Sequence, residues 1–263
     1  MSVWDCFIYG GEDDMLECRL RELDGQVYRH IVCEAPLTHR GQPKPLTFLD
    51  DLDRFRPWLD RIIYLTVPAG EIDPRPDAPA LAPHPWIELS PRAFGRVKQQ
   101  REYALRGLAP ADPDDIVLIG DVDTIPRLGA AAAWPPYGPV VFEMRAHYFA
   151  VDWQLGRRLD VVAAPKKYVT TAWGLLETRG GLPRVRDGGW HLSWLGGPEV
   201  IRAKAAASAH AELAHLMADP GELYASGWLP WEETQQAAVD VDGTWPAWVA
   251  SRQCPVSWFR PRP

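Results

Sequence analysis

The 263-residue sequence has little of what marks several large protein classes. Its four cysteines show no C-x-x-C spacing, and Cys6 and Cys33 stand in apolar runs, which predicts buried free thiols. No run approaches the roughly 20 apolar residues that cross a bilayer. Acidic residues occupy positions 12–14, where a signal peptide would be apolar. We therefore expect a reduced, cytoplasmic protein with no integral membrane segment.

Basic residues are too few for a polybasic nucleic-acid-binding protein. The chain has 28 Lys and Arg against 35 Asp and Glu, which gives a net charge of −7. A phosphate ligand must then be held by a local cluster of charge or by a metal ion. The sequence also lacks G-x-G-x-x-G, G-x-x-x-x-G-K-S/T and G-x-S-x-G. These absences argue against dinucleotide-binding, P-loop and nucleophile-elbow enzymes.

Short apolar runs alternate with helical patterns along most of the chain, which predicts an α/β layer fold. Predicted strands cover 3–9, 28–34, 61–67, 115–119, 140–150 and 190–195, and predicted helices cover 13–23, 92–108 and 198–217. Proline-rich segments at 35–46 and 71–85 predict loops. We expect one domain over 1–263, with a core of about 3–217 and an extension rich in Trp and Pro over 218–263.

The most informative segment is DIVLIGDVDTIP over 115–126, where an apolar strand leads into Gly120 and two carboxylates, Asp121 and Asp123. Ligands of open α/β sheets bind at the carboxyl ends of strands. Two carboxylates one residue apart repel each other unless a cation compensates, and Mg²⁺ or Mn²⁺ would bridge them to a diphosphate. A D-x-D pattern alone also fits a solvated acidic turn. Its position directly after a buried strand favours the metal and diphosphate site.

A second segment, DGGWHLSWLGG over 187–197, places two glycine pairs around an aromatic strand. Asp187 is a candidate general base, and His191 is a candidate metal ligand or hydrogen-bond donor. Trp190 and Trp194 are candidates for stacking on a sugar ring, although tryptophan in a core is the more common case. A hairpin with buried aromatic residues and a core histidine explains the same pattern.

The third segment, CEAPLTHRGQPKPL over 33–46, follows a predicted strand. It holds Glu34, Thr38, His39, Arg40 and Lys44 in a loop that proline stiffens. Such a mixture at the carboxyl end of a strand is able to bind a nucleotide, and an ordinary surface loop explains it equally well.

Taken in order, these segments resemble glycosyltransferase family 17. The resemblance rests on an ordered set of motifs. They are DCF at 5–7, E-x-D-x-L-E-x-R-L at 12–20, a segment with T-H-x-G and K-P-L at 32–46, QRE at 100–102, GDVDTIP at 120–126, D-x-GWH-x-S at 187–193 and H-x-E at 210–212. Thr124 replaces an acidic residue of the family pattern, and the tail after Asp219 has no such match.

The resemblance implies a GT-A-like, Rossmann-like single domain with a mixed, mostly parallel central sheet flanked by helices. It implies an inverting, metal-dependent glycosyltransferase that moves a sugar, most naturally GlcNAc, from a UDP-sugar such as UDP-GlcNAc to a saccharide or glycoconjugate acceptor. Because the chain shows no membrane anchor, it resembles a soluble, bacterial-type member.

The same resemblance implies roles for the acidic turn. Asp123 is expected as the direct ligand of Mn²⁺ or Mg²⁺, and Asp121 is expected near both the metal and the ribose. His191 would complete the metal shell, with His210 as the reserve.

Asp187 would take the proton of the acceptor hydroxyl, and Glu143 and Glu177 are alternatives for that base. The residues expected to bind substrate are Glu34, Thr38, Lys44 and Arg101 beside the nucleotide, Asp121, and Trp190 and Trp194 beneath the sugar.

Two other functions compete with the transferase. A non-catalytic sugar-binding module would explain the 13 tryptophans but has no need of a D-x-D at a strand end. Another metal-dependent enzyme acting on nucleotide diphosphates would need a basic, glycine-rich loop near the N-terminus. Residues 10–14, GGEDD, are acidic instead.

Overall fold

The computed structural model describes residues 1–73, 90–130, 138–210 and 215–261. Its strands are β1 (Val3–Tyr9), β2 (Arg29–Glu34), β3 (Ile62–Thr66), β4 (Ile116–Asp121), β5 (Thr124–Pro126), β6 (Val140–Tyr148), β7 (Trp153–Pro165), β8 (Arg184–Val185), β9 (Gly189–Ser193), β10 (Trp228–Leu229), β11 (Thr234–Gln235) and β12 (Ala237–Ala238). Strands β10 and β11 pair with each other. The others form one mixed sheet in the order β3-β2-β1-β4-β7-β6-β9-β5, with β8 beside β6 and β12 beside β7.

The first four strands make the parallel half of this sheet. Strand β1 pairs in parallel with β2 and β4, and β2 pairs in parallel with β3. Their nearly continuous apolar runs are typical of strands covered on both faces. Because parallel strands end at the same edge, the segments that follow β1, β2 and β4 meet there. The predicted α/β architecture with a mixed central sheet is confirmed, and it is consistent with the GT-A-like expectation.

The other half of the sheet is mostly antiparallel. Strand β7 runs antiparallel to both β4 and β6, and β5 runs antiparallel to β9, whereas β6 and β9 are parallel. The sequence pattern does not predict β7, because its 13 residues mix glycine, two arginines and an aspartate with apolar positions. This strand lies between the two halves and joins them.

The described helices flank the sheet and are short. They are α1 (Asp13–Glu22), α2 (Leu52–Phe55), α3 (Ala69–Ile72), α4 (Pro91–Ala104), α5 (Ala172–Glu177), α6 (Pro198–Ala207), α7 (Pro220–Ser226) and α8 (Ala247–Ala250). Short 3₁₀ helices cover Thr47–Asp51, Arg56–Arg61, Leu105–Leu108, Leu128–Ala130, Lys166–Tyr168, Thr178–Gly181 and Val256–Trp258. None of the described helices has the length and apolar character to cross a membrane.

The predicted helix over 198–217 is too long. Helix α6 ends at Ala207, and residues 208–210 are not helical. His210 therefore lies beyond the helix, and Glu212 lies outside the described residues. The predicted loop over 71–85 also lies outside them from residue 74 onward, and α3 covers its first two positions.

Buried apolar side chains cover both faces of the parallel half. Phe7 belongs to one cluster and Cys6 to another, because successive side chains of a strand point to opposite faces. Trp245 and Trp258, from the C-terminal extension, complete the cluster around Phe7. These two tryptophans are core residues. Cys6 and Cys33 are buried free thiols, as predicted.

A buried ion pair joins α1 to β1 close to the carboxyl edge of the sheet. Arg19 and Asp5 are fully buried, and the guanidinium donates to Asp5 Oδ1 at 2.6 Å and Oδ2 at 2.9 Å. Nη1 of Arg19 also donates to the backbone carbonyls of Asp121 and Thr124. Burial opposes ionisation of Asp5, but Arg19 and His30 lower its pKa to about 2. The ion pair therefore anchors the backbone of the D-x-D turn.

Candidate active site

The D-x-D motif forms a tight turn between β4 and β5. Thr124 Oγ1 accepts a hydrogen bond from Asp121 N at 3.0 Å and donates to the Asp121 carbonyl at 2.8 Å. A Cβ at Gly120 would lie 2.7 Å from Thr124 Oγ1 and 2.9 Å from the Val161 side chain, so glycine is required there. The turn therefore presents Asp121 and Asp123 at the carboxyl edge of the parallel strands.

Gln100 of α4 ties the ends of β1 and β2 together. Its Nε2 donates to the carbonyls of Tyr9 at 3.1 Å and Cys33 at 2.8 Å. Its Oε1 lies 3.1 Å from His39 Nε2, which must donate because an amide oxygen only accepts. Burial lowers the pKa of His39 to about 4, so this ring is neutral near pH 7.

Arg101 and Glu102 continue the same motif toward β4 and α5. Nη2 of Arg101 donates to both carboxylate oxygens of Asp121 at 2.7 Å. Glu102 accepts from the backbone N–H groups of Ala172 and Trp173, at the start of α5. All three residues of the Q-R-E motif therefore make hydrogen bonds to segments at the carboxyl edge of the sheet or to the start of α5. Arg101 reaches the D-x-D turn itself.

Asp123 lies deeper than Asp121. It is 7% exposed, and its Oδ2 accepts from Ser193 Oγ at 3.0 Å and from Lys204 Nζ at 2.7 Å. Lys204 also lies 3.8 Å from Glu12 Oε1, after the end of β1. Burial disfavours the ionised form, but Lys204, His191 and Ser193 lower the pKa of Asp123 to about 2. This carboxylate is therefore ionised and already paired with a cation.

An imidazole–carboxylate pair lies next to the D-x-D turn. His191 Nδ1 is 3.0 Å from Asp160 Oδ2, and each side chain is 15% exposed. Burial alone would lower the pKa of His191, but the charges of Asp160 and Asp123 outweigh it and raise that pKa. The His191 ring also contacts Tyr148, with ring centroids 5.6 Å apart, and Tyr148 in turn contacts Trp231.

Asp121 and Asp123 are each paired with a cation in this structure, Arg101 and Lys204, so these pairs would have to loosen before the two carboxylates held a divalent ion that is shared with a diphosphate. Mg²⁺ is usually held by one or two carboxylates together with substrate phosphates and water. No group of three or more His, Cys, Asp or Glu among the described side chains forms a metal site. His191 pairs with Asp160 and does not join Asp121 and Asp123, so this geometry does not support it as a third ligand. The reserve ligand, His210, lies beyond the end of α6.

Asp187 lies at the other end of β9. Its carboxylate is 2.8 Å from Arg157 and 3.9 Å from Arg145, and its side chain is 52% exposed. Ser193, which contacts Asp123, ends the same strand, and β9 alone is roughly 13 Å long at 3.3 Å per residue. The structure therefore does not bring Asp187 together with the D-x-D turn.

The alternative bases are no closer to that turn. Glu143 lies near Asp187 and faces Arg184 Nη1 at 3.4 Å. Glu177 is the exposed last residue of α5. Neither makes a hydrogen bond or ion pair to Asp121 or Asp123 among the described contacts.

Glu34 and Lys44 neutralise each other at the end of β2. Glu34 is fully buried and accepts from Lys44 Nζ at 2.6 Å, Thr47 N at 3.0 Å and Tyr64 Oη at 2.8 Å. Its oxygens are therefore used to shape the loop after β2, and direct contact of Glu34 with a nucleotide stays a prediction without geometric support.

The T-H-x-G segment is a turn that α4 clamps. Thr38 Oγ1 accepts from Gln42 N at 3.1 Å. Gly41 has a φ of +85°, and a Cβ there would lie 2.8 Å from the Arg96 guanidinium. The positive φ favours glycine at this position, whereas the end of the Arg96 side chain could shift away from a Cβ. Arg40 extends from this turn as an exposed side chain.

The sugar platform predicted from β9 is wrong for Trp190. Trp190 is 2% exposed within the core, so it has no face for a sugar ring. Trp194 is 7% exposed and packs 5.9 Å from Trp231. Trp231 is half-buried and also contacts Tyr148. Tyr148, which contacts both His191 and Trp231, is itself only 5% exposed, so Trp231 is the ring of this group with surface left for a ligand.

Sequence reasoning missed Asp160, Lys204 and the position of Arg19. Asp160 stands in β7 directly before an apolar run, and Lys204 lies in an alanine-rich helix. Neither has a local signature, because each meets its partner only through the fold. Arg19 does have a signal, since it stands in the E-x-D-x-L-E-x-R-L motif as a charged residue on a helix with many buried positions.

Comparison with known proteins places the site in a matched region. The model of the family described as glycosyltransferase family 17 matches residues 1–197, which include the D-x-D turn, the Q-R-E motif and β9. The β-1,4-mannosyl-glycoprotein 4-β-N-acetylglucosaminyltransferase of Homo sapiens is 27% identical over 228 residues, covering 73% of this chain and 40% of the relative. Its Rattus norvegicus and Mus musculus counterparts are 27% and 26% identical with the same coverage. The chain spans about two fifths of the length of these curated relatives.

Proposed function

This chain belongs to glycosyltransferase family 17, and on that premise we propose that it transfers a sugar from a UDP-sugar to a hydroxyl of a saccharide or glycoconjugate. The observation that carries the proposal is the D-x-D turn at the carboxyl edge of β4, inside the family-matched residues. The relatives are named as N-acetylglucosaminyltransferases, which supports UDP-GlcNAc as the donor.

Asp121 and Asp123 are the residues that would hold Mn²⁺ or Mg²⁺ against the donor diphosphate. An ion bound there offsets the negative charge that develops on the leaving diphosphate. Arg101 orients Asp121 through a bidentate contact, and Lys204 compensates Asp123. Arg19 fixes the backbone of the turn that carries both carboxylates.

We propose an inverting reaction. In such a reaction the acceptor hydroxyl attacks the anomeric carbon from the face opposite the diphosphate. A proton acceptor must then lie beside the D-x-D turn and yet be separate from the residues that hold the diphosphate. That requirement disfavours Asp187, because Asp187 pairs with Arg157 at the far end of β9.

Calorimetric titration of UDP and UDP-GlcNAc, first with Mn²⁺ and then with EDTA, tests the donor site. We expect Mn²⁺-dependent binding to the wild-type protein. Asp123→Ala should weaken it at least tenfold, about 1.4 kcal/mol, because it removes the buried carboxylate of the turn. Asp114→Ala is the matched control, since Asp114 lies before β4 and, among the described residues, pairs with Lys167 at the surface.

Equal binding of UDP in Mn²⁺ and EDTA would remove the metal from the proposal. Absence of UDP binding under both conditions would remove the donor site and favour a sugar-binding module. Equal loss of binding in Asp114→Ala would show that the effect is not specific to the turn.

A further inference from the structure

We propose that His191, oriented by Asp160, is the proton acceptor for the attacking hydroxyl; this inference rests on the proposed sugar transfer. The sequence predicts His191 as a metal ligand or a hydrogen-bond donor and predicts no role for Asp160. The structure joins them as a pair that lies beside the carboxylates that would hold the diphosphate and makes no described hydrogen bond to them.

The hydrogen bond between the pair decides which ring nitrogen is available. Asp160 Oδ2 lies 3.0 Å from His191 Nδ1, and an ionised carboxylate only accepts hydrogen bonds. Nδ1 therefore carries a proton, and in the neutral ring the lone pair is on Nε2. Among the described residues the one side-chain hydrogen bond of His191 is that of Nδ1, so Nε2 has no described partner, and the side chain is 15% exposed. A carboxylate that holds an imidazole in this tautomer is the arrangement of an activated base.

The strand register puts this pair on the D-x-D side of the sheet. Val162 of β7 lies opposite Ile119 of β4, so Asp160 lies two residues further along, toward Asp121. On β9, His191 is two residues from Ser193, whose hydroxyl donates to Asp123. Side chains two residues apart share one face of a strand. The base is therefore next to the carboxylates without being hydrogen bonded to them.

Aromatic rings border His191 on one side, and the charges of Arg158 and Arg179 act on Asp160. The ring of Tyr148 lies against His191, and Trp231 lies against Tyr148. Tyr148 is 5% exposed and has no free face, so Trp231, which is half-buried, is the ring of this pair with surface left for a sugar. Lys204 and Arg101, which suit a diphosphate, lie instead on Asp123 and Asp121. The proposed base and the carboxylates that would hold the diphosphate therefore have different hydrogen-bond partners.

The step balances as a single displacement. His191 Nε2 takes the proton of the acceptor hydroxyl while the oxygen forms a bond to the anomeric carbon. The bond from that carbon to the diphosphate oxygen breaks, and its electron pair leaves with UDP. The imidazolium, stabilised by Asp160, then releases its proton to solvent.

The test uses the full chain with UDP-GlcNAc, Mn²⁺ and a probe acceptor, an oligosaccharide with a terminal β-linked mannosyl residue. UDP release is measured, so that transfer to water is also counted.

We expect His191→Gln to lower kcat at least about 100-fold, in the range of general-base catalysis, with KM for UDP-GlcNAc within twofold of wild type. Asp160→Asn should lower kcat less. Imidazole in solution should restore part of the rate of His191→Ala, which a structural role would not allow.

The controls separate this inference from the proposed function. His215→Gln alters an exposed histidine away from the pair and should leave kcat unchanged. A tenfold loss of Mn²⁺-dependent UDP binding in His191→Gln would make His191 a metal ligand and overturn the inference. An unchanged kcat in both His191→Gln and Asp160→Asn would also overturn it. Failure of the wild-type protein to bind UDP would instead overturn the transferase proposal on which the inference rests.

Discussion

The two ends of β9 differ in what they do with charge. At the end near Ser193, the carboxylates of Asp123 and Asp160 are mostly buried, and each has a specific partner on another element. At the end near Asp187, the carboxylate is half exposed and faces Arg157 and Arg145 in solvent. Both ends belong to one short sequence motif.

The difference shows at which end of β9 the loss of a charged partner costs more free energy. A buried charge is costly unless it is paired, so removing one partner is severe. An exposed pair is screened by water and contributes little. We therefore expect function and stability to depend on the Ser193 end and to tolerate change at the Asp187 end.

The largest effect on stability is expected where the buried pair of α1 supports the Ser193 end. Arg19→Met should lower the free energy of unfolding by about 3–5 kcal/mol, because Asp5 is left buried and without its guanidinium. Arg157→Met, which removes the exposed partner of Asp187, should change it by less than about 1 kcal/mol. Urea denaturation of both variants measures this contrast, and equal losses would abolish the distinction between the two ends.

Acid should weaken the buried pair of Asp5 and Arg19 within a defined pH range. The pKa of Asp5 is lowered to about 2 from an ordinary value of 3.8, so its contribution is complete above about pH 4 and is lost as the pH falls toward 2. That contribution is about 2 kcal/mol at 1.36 kcal/mol per pKa unit. Urea titrations at pH 4.5 and pH 2.5 measure the loss, which should be smaller in Arg19→Met than in the control Arg157→Met. An equal loss of unfolding free energy between pH 4.5 and pH 2.5 in both variants would contradict the assignment of this loss to Asp5.

The smallest effect is expected at Asp187. Asp187→Asn should leave kcat for UDP release within about threefold of wild type and stability within about 0.5 kcal/mol, as for other surface substitutions. The sequence alone predicts the opposite, since Asp187 is its candidate base. If Asp187→Asn loses transfer but still binds UDP, Asp187 is the base after all, and the Asp187 end of β9 matters more for catalysis than the comparison of the two ends predicts.

Much of the parallel half could be predicted, because its pattern is local. The predicted strand 3–9 coincides with β1, and the predicted strands at 28–34, 61–67 and 115–119 match β2, β3 and β4 closely. Uninterrupted apolar runs bounded by turn residues carry that information. Strand β7 was not predicted, because its side chains are buried unevenly along its length. The prediction that corresponds to α6 was too long, because the alanine-rich sequence past Ala207 keeps a helical pattern.

The site could be predicted only in part. The D-x-D turn lies at a strand end, as the sequence predicts, and the Arg101 guanidinium lies beside it, while the roles of these residues stay predictions. The partners of its carboxylates could not be found, because Lys204 is 81 residues from Asp123 and Asp160 is 31 residues from His191. Such pairs are created by strand order and helix placement, which a single sequence does not specify.

The side chain of Gln100 has a consequence for the substitutions that its position accepts. Its one amide group donates to two carbonyls, of Tyr9 and Cys33, and accepts from His39. Glutamate would turn a carboxylate oxygen toward two carbonyl oxygens, and asparagine is one methylene too short to reach all three partners. Either substitution therefore loosens the ends of two strands and the loop beyond them at once, so a library that varies residue 100 should recover glutamine far more often than glutamate or asparagine.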